Sequence, residues 1–555
     1  MAGEMLIKGG RVIDGTGTPG YEADVLIRDD LIKSIGPDIP VSDIPVVEAK
    51  GLTVAPGFID AHTHAEFILA SPRCGEYMEP FVRQGVTTMV TGNCGVSAAP
   101  VNEFTRRFLG SYWDSLMPEE GLSFSWSGMG EFVDHLHRQK LPVNICQLVG
   151  HGTVRLTVMG CKYGSPTSDE LKSMRDLVGQ SLKAGSRGLS YGLTYVPGIW
   201  ADTHELIEVG RDLRTHKGRI TVHLRSQTEF IESAVSEMIE VARTLKVPLQ
   251  ISHFVPYSLE YIDSFFNTLE MVDDARNEGL EIGHDMLTPP VSSTTVCHLY
   301  PAWMFESGFP AFLERLSDLK LRERIKTELK EKPKWPSWKF NCWAENMCSY
   351  VNEQGRPSWT RIRLSGFRRP ENAAFEFASV EETATLLKKD PYDALFDLTL
   401  SENGRLFFTG FSTDSLDMDH LDIAAAPVLQ LPECSFMTDS VGIGRGSKAA
   451  TIYGTFPRFV GRHVREFKTF SLEEAVRKCT SLPAGQYGLA DRGVLRENAK
   501  ADLVIFDANT ICDNATFTEP FKYAQGIQFV IVNGIPVWQN GEYKIHEGPG
   551  EVIGS

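Results

Sequence analysis

Paired cysteines are missing from this chain. Its ten cysteines stand singly at positions 74, 94, 146, 161, 297, 342, 348, 434, 479 and 512. With no CxxC pair and no dense cluster, a disulfide scaffold is excluded and a reducing compartment, the cytoplasm, is expected. Long hydrophobic runs are missing too. No stretch approaches 18 apolar residues, and the start, MAGEMLIKGGRVIDG, has no apolar segment behind a basic one. Neither a membrane span nor export is expected. Positive charge is in deficit: 55 Lys and Arg face 72 Asp and Glu, a net charge of −17. Nucleic acid and anionic membranes would be repelled, so neither is expected as a partner. Internal repeats and low-complexity tracts are also lacking. What remains is 42% hydrophobic and 23% charged residues, the balance of an ordinary globular protein. At 555 residues the chain exceeds one core of ordinary size, so a large domain with at least one accessory domain is expected.

From Met5 to about Val54 the sequence alternates in short strands broken by turn signals: MLIKGGRVIDG, EADVLIRDDLIKSIG and PVVEAKGLTVAPG. The same character returns in ADLVIFDA at 501 to 508 and in GIQFVIVNGIPVWQNGEY, where Asn533-Gly534 is a two-residue hairpin turn. Matching ends predict one small β-sandwich built from residues 1–55 and 490–555. Residues 56–489 follow another rhythm. VTTMVTG, VNICQLVGHG, SRGLSYGL, RITVHLRS, VPLQISHF and LEIGHDML are short β-rich runs separated by amphipathic segments such as SDELKSMRDLVGQSLKAG. Strand followed by helix, repeated, implies a parallel sheet, and eight units close into a barrel. The expected fold is therefore α/β, a (β/α)8 barrel of the TIM type, with further strands near FFTG and SFMTDS. Residues from about 295 to 400 break the rhythm with KEKPKWPSWKFNCWAENMCSYVNEQGRPSW and a helical stretch. They read as an insertion over the barrel mouth.

The strongest local signal is GFIDAHTHAEF at 57 to 67. On a strand, residues i and i+2 share a face, so His62 and His64 can reach one metal inside the barrel. Cys94 in TGNCG, His223 in ITVHL, His253 in LQISHF and Asp439 in SFMTDS each follow or end a β-rich run. In a barrel that means the C-terminal face, where catalytic groups gather. Any one of them alone reads as a satisfied buried polar residue, but their joint recurrence at strand ends points to a metal site. Imidazole, thiolate and carboxylate together suit zinc, and the thiolate disfavours magnesium and calcium. Residue types leave one metal or two open, with the Cys94 thiolate between them in the second case.

These segments resemble the amidohydrolase superfamily and, within it, the N-acyl-D-amino-acid deacylases, or D-aminoacylases. The likeness covers nearly the whole chain. It includes APGFIDAHTH, TGNCG, LVGHGTVR, GLSYGLTYVPGIWADTHEL, GTFPRFVGRHVRE and SLEEAVRKCTSLPAGQYGLADRGVL followed by KADLVIFD. The resemblance implies a tightly held zinc on Cys94, His223 and His253, and a second, weaker metal position on His62, His64 and Asp439. It also makes Asp439 the residue that handles the proton. The carboxylated lysine of hydantoinase-like relatives is replaced by the cysteine. His151 and Tyr195 are candidates for binding substrate or the developing oxyanion, and Asp60 and Arg225 for orienting ligands. The implied reaction is zinc-dependent hydrolysis of the amide bond of an N-acyl amino acid or a related, more apolar amide. The partner is then a small-molecule amide, with homo-oligomerisation left open.

One departure bears on substrate. D-aminoacylases follow the last zinc histidine with His-Lys and later carry D-x-Y-P-Y, so that a lysine and a tyrosine grip a free carboxylate. Here Val255 and Leu287 occupy those two positions of the substrate pocket. Losing such a grip removes charge-assisted hydrogen bonds of ~1.5 to 3 kcal/mol each, unless Arg361 or Arg363 of the insertion replaces the charge. Two other readings compete: a superfamily deaminase acting on a ring amine, which does not normally use the TGNCG cysteine, and an inactive scaffold, which would show decayed ligands.

Overall fold

The structure is a computed structural model that describes residues 3–257, 259–328, 358–440, 449–544 and 548–554. Its centre is a ring of eight parallel strands. In order they are Phe58–Asp60, Val86–Thr91, Asn144–Gln147 continued by Val149–Gly150, Gly188–Gly192, Arg219–His223, Leu249–Ile251, Ile282–Met286 and Cys434–Phe436. Each pairs in parallel register with the next. The ring closes where Thr63 bridges Ser440 in parallel and the Ala61 N–H donates to the Phe436 carbonyl at 3.4 Å. Helices such as Ser168–Lys183, Ile231–Leu245 and Ile262–Asn277 separate the strands. They bury their apolar stripes against the outside of the ring, as the period of SDELKSMRDLVGQSLK requires. Ile59, Ala61, Val90, Leu148, Leu287 and Met437 belong to one packed cluster inside it.

The two chain ends meet in a nine-stranded sheet, joined where Leu503–Phe506 pairs antiparallel with Thr53–Pro56. One face closes on its own small core, with Ala23, Val25 and Ile27 alternating inward along one strand and Leu503, Ile505, Phe529 and Ile531 opposite. The intervening Val504, Phe506, Val530 and Val532 belong to the barrel's core. Burial on both faces explains why LVIF and IQFVIV are continuous apolar runs rather than alternating ones. The hairpin turn between Ile527–Val532 and Ile535–Gln539 has positive φ at both Asn533 (46°) and Gly534 (79°), as a two-residue turn of this kind requires.

One expected barrel strand is not in the barrel. FFTG forms Phe407–Gly410, which pairs antiparallel with Ser292–Thr295 and Ile362–Ser365 in a separate three-stranded sheet. That sheet lies in the long segment between the seventh and eighth barrel strands. A four-residue apolar run carries no information about which sheet it joins. The place in the ring is taken instead by Phe58–Asp60, which leads into the HxH pair. Most of the Pro- and Trp-rich stretch beginning KEKPKWPSW lies outside the described residues. Among the described residues no helix is long and apolar enough to cross a membrane.

Candidate metal centre

At the C-terminal end of the ring six side chains converge. His62, His64 and Cys94 offer ligand atoms within 4.8 Å of one another, and so do Cys94, His223 and His253. The two triads share the cysteine. Its Sγ lies 3.3 Å from His62 Nε2 and 3.6 Å from His253 Nε2. Asp439 Oδ1 stands 3.5 Å from His62 Nε2 and 3.7 Å from His64 Nε2. The rings of His223 and His253 meet edge to face at 4.4 Å.

Local geometry aims these groups inward. The Thr63 N–H and hydroxyl are both held by the Val90 carbonyl, at 2.9 and 3.0 Å, which leaves His62 and His64 on the interior side. Cys94, His253 and Asp439 all have left-handed backbone, with φ of 49°, 37° and 47°. Such conformations are costly for residues with a Cβ and cluster where a side chain must be aimed against the run of the chain. The turn that carries Cys94 is pressed against the neighbouring strand. A Cβ on Gly192 would lie 1.9 Å from the Cys94 carbonyl oxygen, and one on Gly95 2.6 Å from the Gly192 nitrogen. Only glycine fits either position, which accounts for the second Gly of TGNCG.

Burial sets the electrostatics. His62 and His253 are both lowered to about 3, and His64 and His223 lie well below the ordinary histidine value, in each case mainly because burial disfavours the cation. All four are therefore neutral, the form that binds a metal. Burial also raises the Cys94 thiol well above its ordinary value, and the nearby Asp439, Asp285 and Glu66 carboxylates add to this. Asp439 is pushed up to about 8 by burial, then by Asp285 and Asp60. Among the described residues the Nδ1 atoms of His62, His64 and His223, all buried, have no hydrogen-bond partner. A cation at this point resolves the disfavoured ionisations together, since it draws thiol and carboxyl toward their ionised forms. Three to five N and S donors of this kind fit a borderline-soft ion such as zinc.

A second layer holds the ligands. Asp60 accepts from the His62 N–H at 3.4 Å, from the Thr438 N–H at 3.0 Å and from the Thr438 hydroxyl at 2.6 Å, tying the first strand to the eighth. Asp285 was not anticipated as part of the centre. Its Oδ1 accepts from the His253 N–H at 2.6 Å and stands 3.6 Å from His62 Nδ1. It ends a β-rich run in GHDML as the other candidates end theirs, so the signal was there to be read. Gln227 was also missed: its side-chain amide lies 2.9 Å from His253 Nδ1. The same amide nitrogen donates to the His253 carbonyl at 3.4 Å, so Gln227 would orient this imidazole toward an ion.

The other candidates divide. Tyr195 is at the centre, its ring 4.8 Å from that of His223. Val255 and Leu287 are 3% and 2% exposed, and Leu287 belongs to the cluster inside the ring. His151 Nε2 lies 2.9 Å from Glu205, and its ring packs on Tyr191. Arg225 binds Glu237 and the carbonyls of Ile199 and Ala201. Arg361 lies 3.5 Å from Asp414, and Arg363 3.2 Å from Glu382.

Comparison with known proteins places this geometry. The family model described as the amidohydrolase family matches residues 45–327 and 433–538, and so takes in all eight strands of the ring and part of the end-to-end sheet. The chain belongs to the amidohydrolase family. By that membership it is an enzyme, a metal-dependent amidohydrolase. D-aminoacylase of Alcaligenes xylosoxydans xylosoxydans is 32% identical over 537 residues, which cover 97% of this chain and 94% of that one. A solved D-aminoacylase, described by its binuclear metal center with one-metal activation and second-metal attenuation, superposes with a TM-score of 0.79 at 29% identity, covering 99% of both chains. The N-acyl-D-glutamate deacylase of Bordetella bronchiseptica, complexed with zinc and a phosphonate mimic of the tetrahedral intermediate, gives 0.78 at 28% identity, again over 99% of both. The segment between the two matched regions of the amidohydrolase model holds two strands of the separate sheet, Ile362–Ser365 and Phe407–Gly410.

Proposed function

We propose that this amidohydrolase uses zinc to cleave the acyl-amide bond of an N-acyl amino acid or a related, more apolar amide. The observation that carries the reading is the convergence of four neutral histidines, one thiol and one carboxyl on Cys94 at the mouth of the ring. Cys94, His223 and His253 would hold the tight ion, and His62, His64 and Asp439 a weaker second position. Zinc there would supply Lewis acidity, which brings the ionisation of water close to neutral pH. Asp439 accepts the proton from the attacking water and returns it to the departing nitrogen, which leaves poorly unless protonated. Its carboxyl stands 3.5 Å from His62 Nε2 and 3.7 Å from His64 Nε2. Tyr195, packed against His223, is placed to donate a hydrogen bond where negative charge develops on the carbonyl oxygen. The deaminase and scaffold readings draw no support from this set, in which a cysteine is central and every ligand is intact.

Substrate choice follows from Val255 and Leu287. A carboxylate placed against two buried aliphatic side chains is left desolvated and unpaired. Arg361 and Arg363 have acidic partners of their own. The preference therefore tilts toward amides with an apolar or aromatic group at this end. The same reading divides the chain into a sandwich of residues 1–55 with 490–555 and a catalytic barrel of 56–489, with the insertion at about 295–400. It also places the enzyme in the cytoplasm, where scattered thiols stay reduced. The test is amine release from a panel of N-acyl amino acids, amino amides and aromatic amides. It is followed by kcat/KM for N-acetyl-D-methionine against its carboxamide. Preference for the free acid overturns the substrate assignment, and no turnover across the panel overturns the function.

A further inference from the structure

The loop that carries Tyr195 is an arch with both feet at the end of the fifth barrel strand. At the first foot the Leu193 N–H donates to the His223 carbonyl at 3.1 Å. At the second, around the 3-10 turn Gly198–Trp200, the Arg225 guanidinium donates to the carbonyls of Ile199 at 3.2 Å and Ala201 at 2.9 Å. The feet touch: a Cβ on Gly198 would lie 2.4 Å from the Gly192 carbonyl oxygen, so only glycine fits there. From the turn, the Ile199 N–H donates back to the Tyr195 carbonyl at 2.8 Å. One residue therefore links Arg225 to Tyr195, whose ring stands 4.8 Å from that of His223.

Arg225 is 1% exposed, and its Nε and Nη2 donate to Glu237 at 3.0 and 3.2 Å. Glu237 in turn accepts from the Thr203 hydroxyl at 2.9 Å. A buried ion pair of this kind is not in itself a gain in stability over packed apolar side chains. What an apolar residue cannot do here is bond two main-chain carbonyls at once. The planar guanidinium does so and keeps a carboxylate besides, whereas the flexible ammonium of lysine has no such rigid fork. We propose that Arg225 is a positioning residue for amide hydrolysis: it fixes the arch, and through it the Tyr195 hydroxyl, where negative charge develops on the substrate carbonyl. This rests on the amide-hydrolase reading above, and it gives Arg225 a role that runs through Tyr195 rather than through the zinc ligands.

The experiment is a double-mutant cycle on zinc-loaded protein, made of wild type, Arg225→Lys, Tyr195→Phe and the double variant. For the best amide of the panel, Tyr195→Phe is expected to lose about 10²-fold in kcat, the size of one oxyanion donor. Arg225→Lys is expected to lose about 10- to 100-fold in kcat with KM and zinc content nearly unchanged, as misplacement of a reacting group does. Adding Arg225→Lys to Tyr195→Phe should cost little more, because the hydroxyl that Arg225 places is already gone. If Arg225→Lys does not fold, Glu237→Gln loosens the guanidinium without removing it and repeats the cycle in a milder form, with the same outcomes. Wild-type kcat in Arg225→Lys overturns the proposal. So does a loss of the same factor with and without the Tyr195 hydroxyl, which marks a role in packing alone, and so does loss of zinc, which marks a role through His223. A wild type inert toward every amide overturns the functional reading instead, and the same cycle, read by calorimetry as affinity for benzohydroxamic acid, then decides Arg225 on its own.

Discussion

Asp285 accepts the backbone N–H of His253 at 2.6 Å with the same oxygen that stands 3.6 Å from the Nδ1 of His62. One carboxylate on the seventh strand thus holds the backbone that carries His253 and faces the His62 ring from the first. Burial pushes it up to about 6, so it is ionised at neutral pH. Partners of this kind typically contribute 10- to 100-fold in metal affinity. Asp285→Ala is expected to weaken zinc binding by about that factor, and Asp285→Asn by less, because its carbonyl oxygen still accepts from His253. Competition with a chelator measures both. Wild-type affinity in Asp285→Ala would remove the residue from the centre.

Cys94 is the donor common to both triads. Without it each loses its only sulfur, and three-ligand binding becomes two-ligand binding on either side. Cys94→Ala should purify nearly free of zinc, as read by elemental analysis. A full equivalent of zinc together with full activity would falsify the assignment.

Asp439 is expected to act on the proton rather than to hold the tight ion. An amide side chain can neither accept that proton nor return it. Asp439→Asn should retain its tight zinc while losing about 10²-fold or more in kcat. The check is turnover and metal content measured on one preparation; wild-type turnover would exclude the role.

Glu205 gives a prediction about stability. It is buried between His151 and Arg155, at 2.9 and 3.0 Å. Burial alone would raise its carboxyl, but the His151 hydrogen bond and the Arg155 charge together hold it below its ordinary 4.5. A folded value below the unfolded one stabilises the protein fully above the unfolded value and is lost as pH falls through 4.5 toward the folded one. Glu205→Gln leaves the Arg155 guanidinium buried without its counter-charge, a loss of about 3 to 5 kcal/mol. At pH 7 the variant should unfold at clearly lower urea than wild type, with the gap closing below pH 4.5. A gap independent of pH would show that the pairing is not what stabilises this cluster.

Much of the site could be read without coordinates. His62 and His64 share a face because a strand has a period of two, and Cys94, His223, His253 and Asp439 are marked by their places at the ends of β-rich runs. Those are local properties of the chain, fixed by backbone periodicity. FFTG failed as a barrel strand because its partners lie more than 40 residues away on one side and more than 100 on the other, and a short apolar run does not name its partners. The contact that His151 makes with Glu205 was equally illegible, because Glu205 lies on the helix Thr203–Gly210, 54 residues further along the chain. Asp285 and Gln227 went unread for the same reason: their significance is the histidine each one touches. The sequence alone therefore determined the candidate ligands, the parallel α/β rhythm and the shared β character of the two ends, all of which follow from residue type and short-range period. Only the tertiary structure decided which carboxylate stands beside which imidazole, that the Cys94 thiol stands at the junction of two triads, and that Arg225 reaches the loop that carries Tyr195. Distance between residues far apart in the chain is set by how the whole core packs, and no local pattern encodes it.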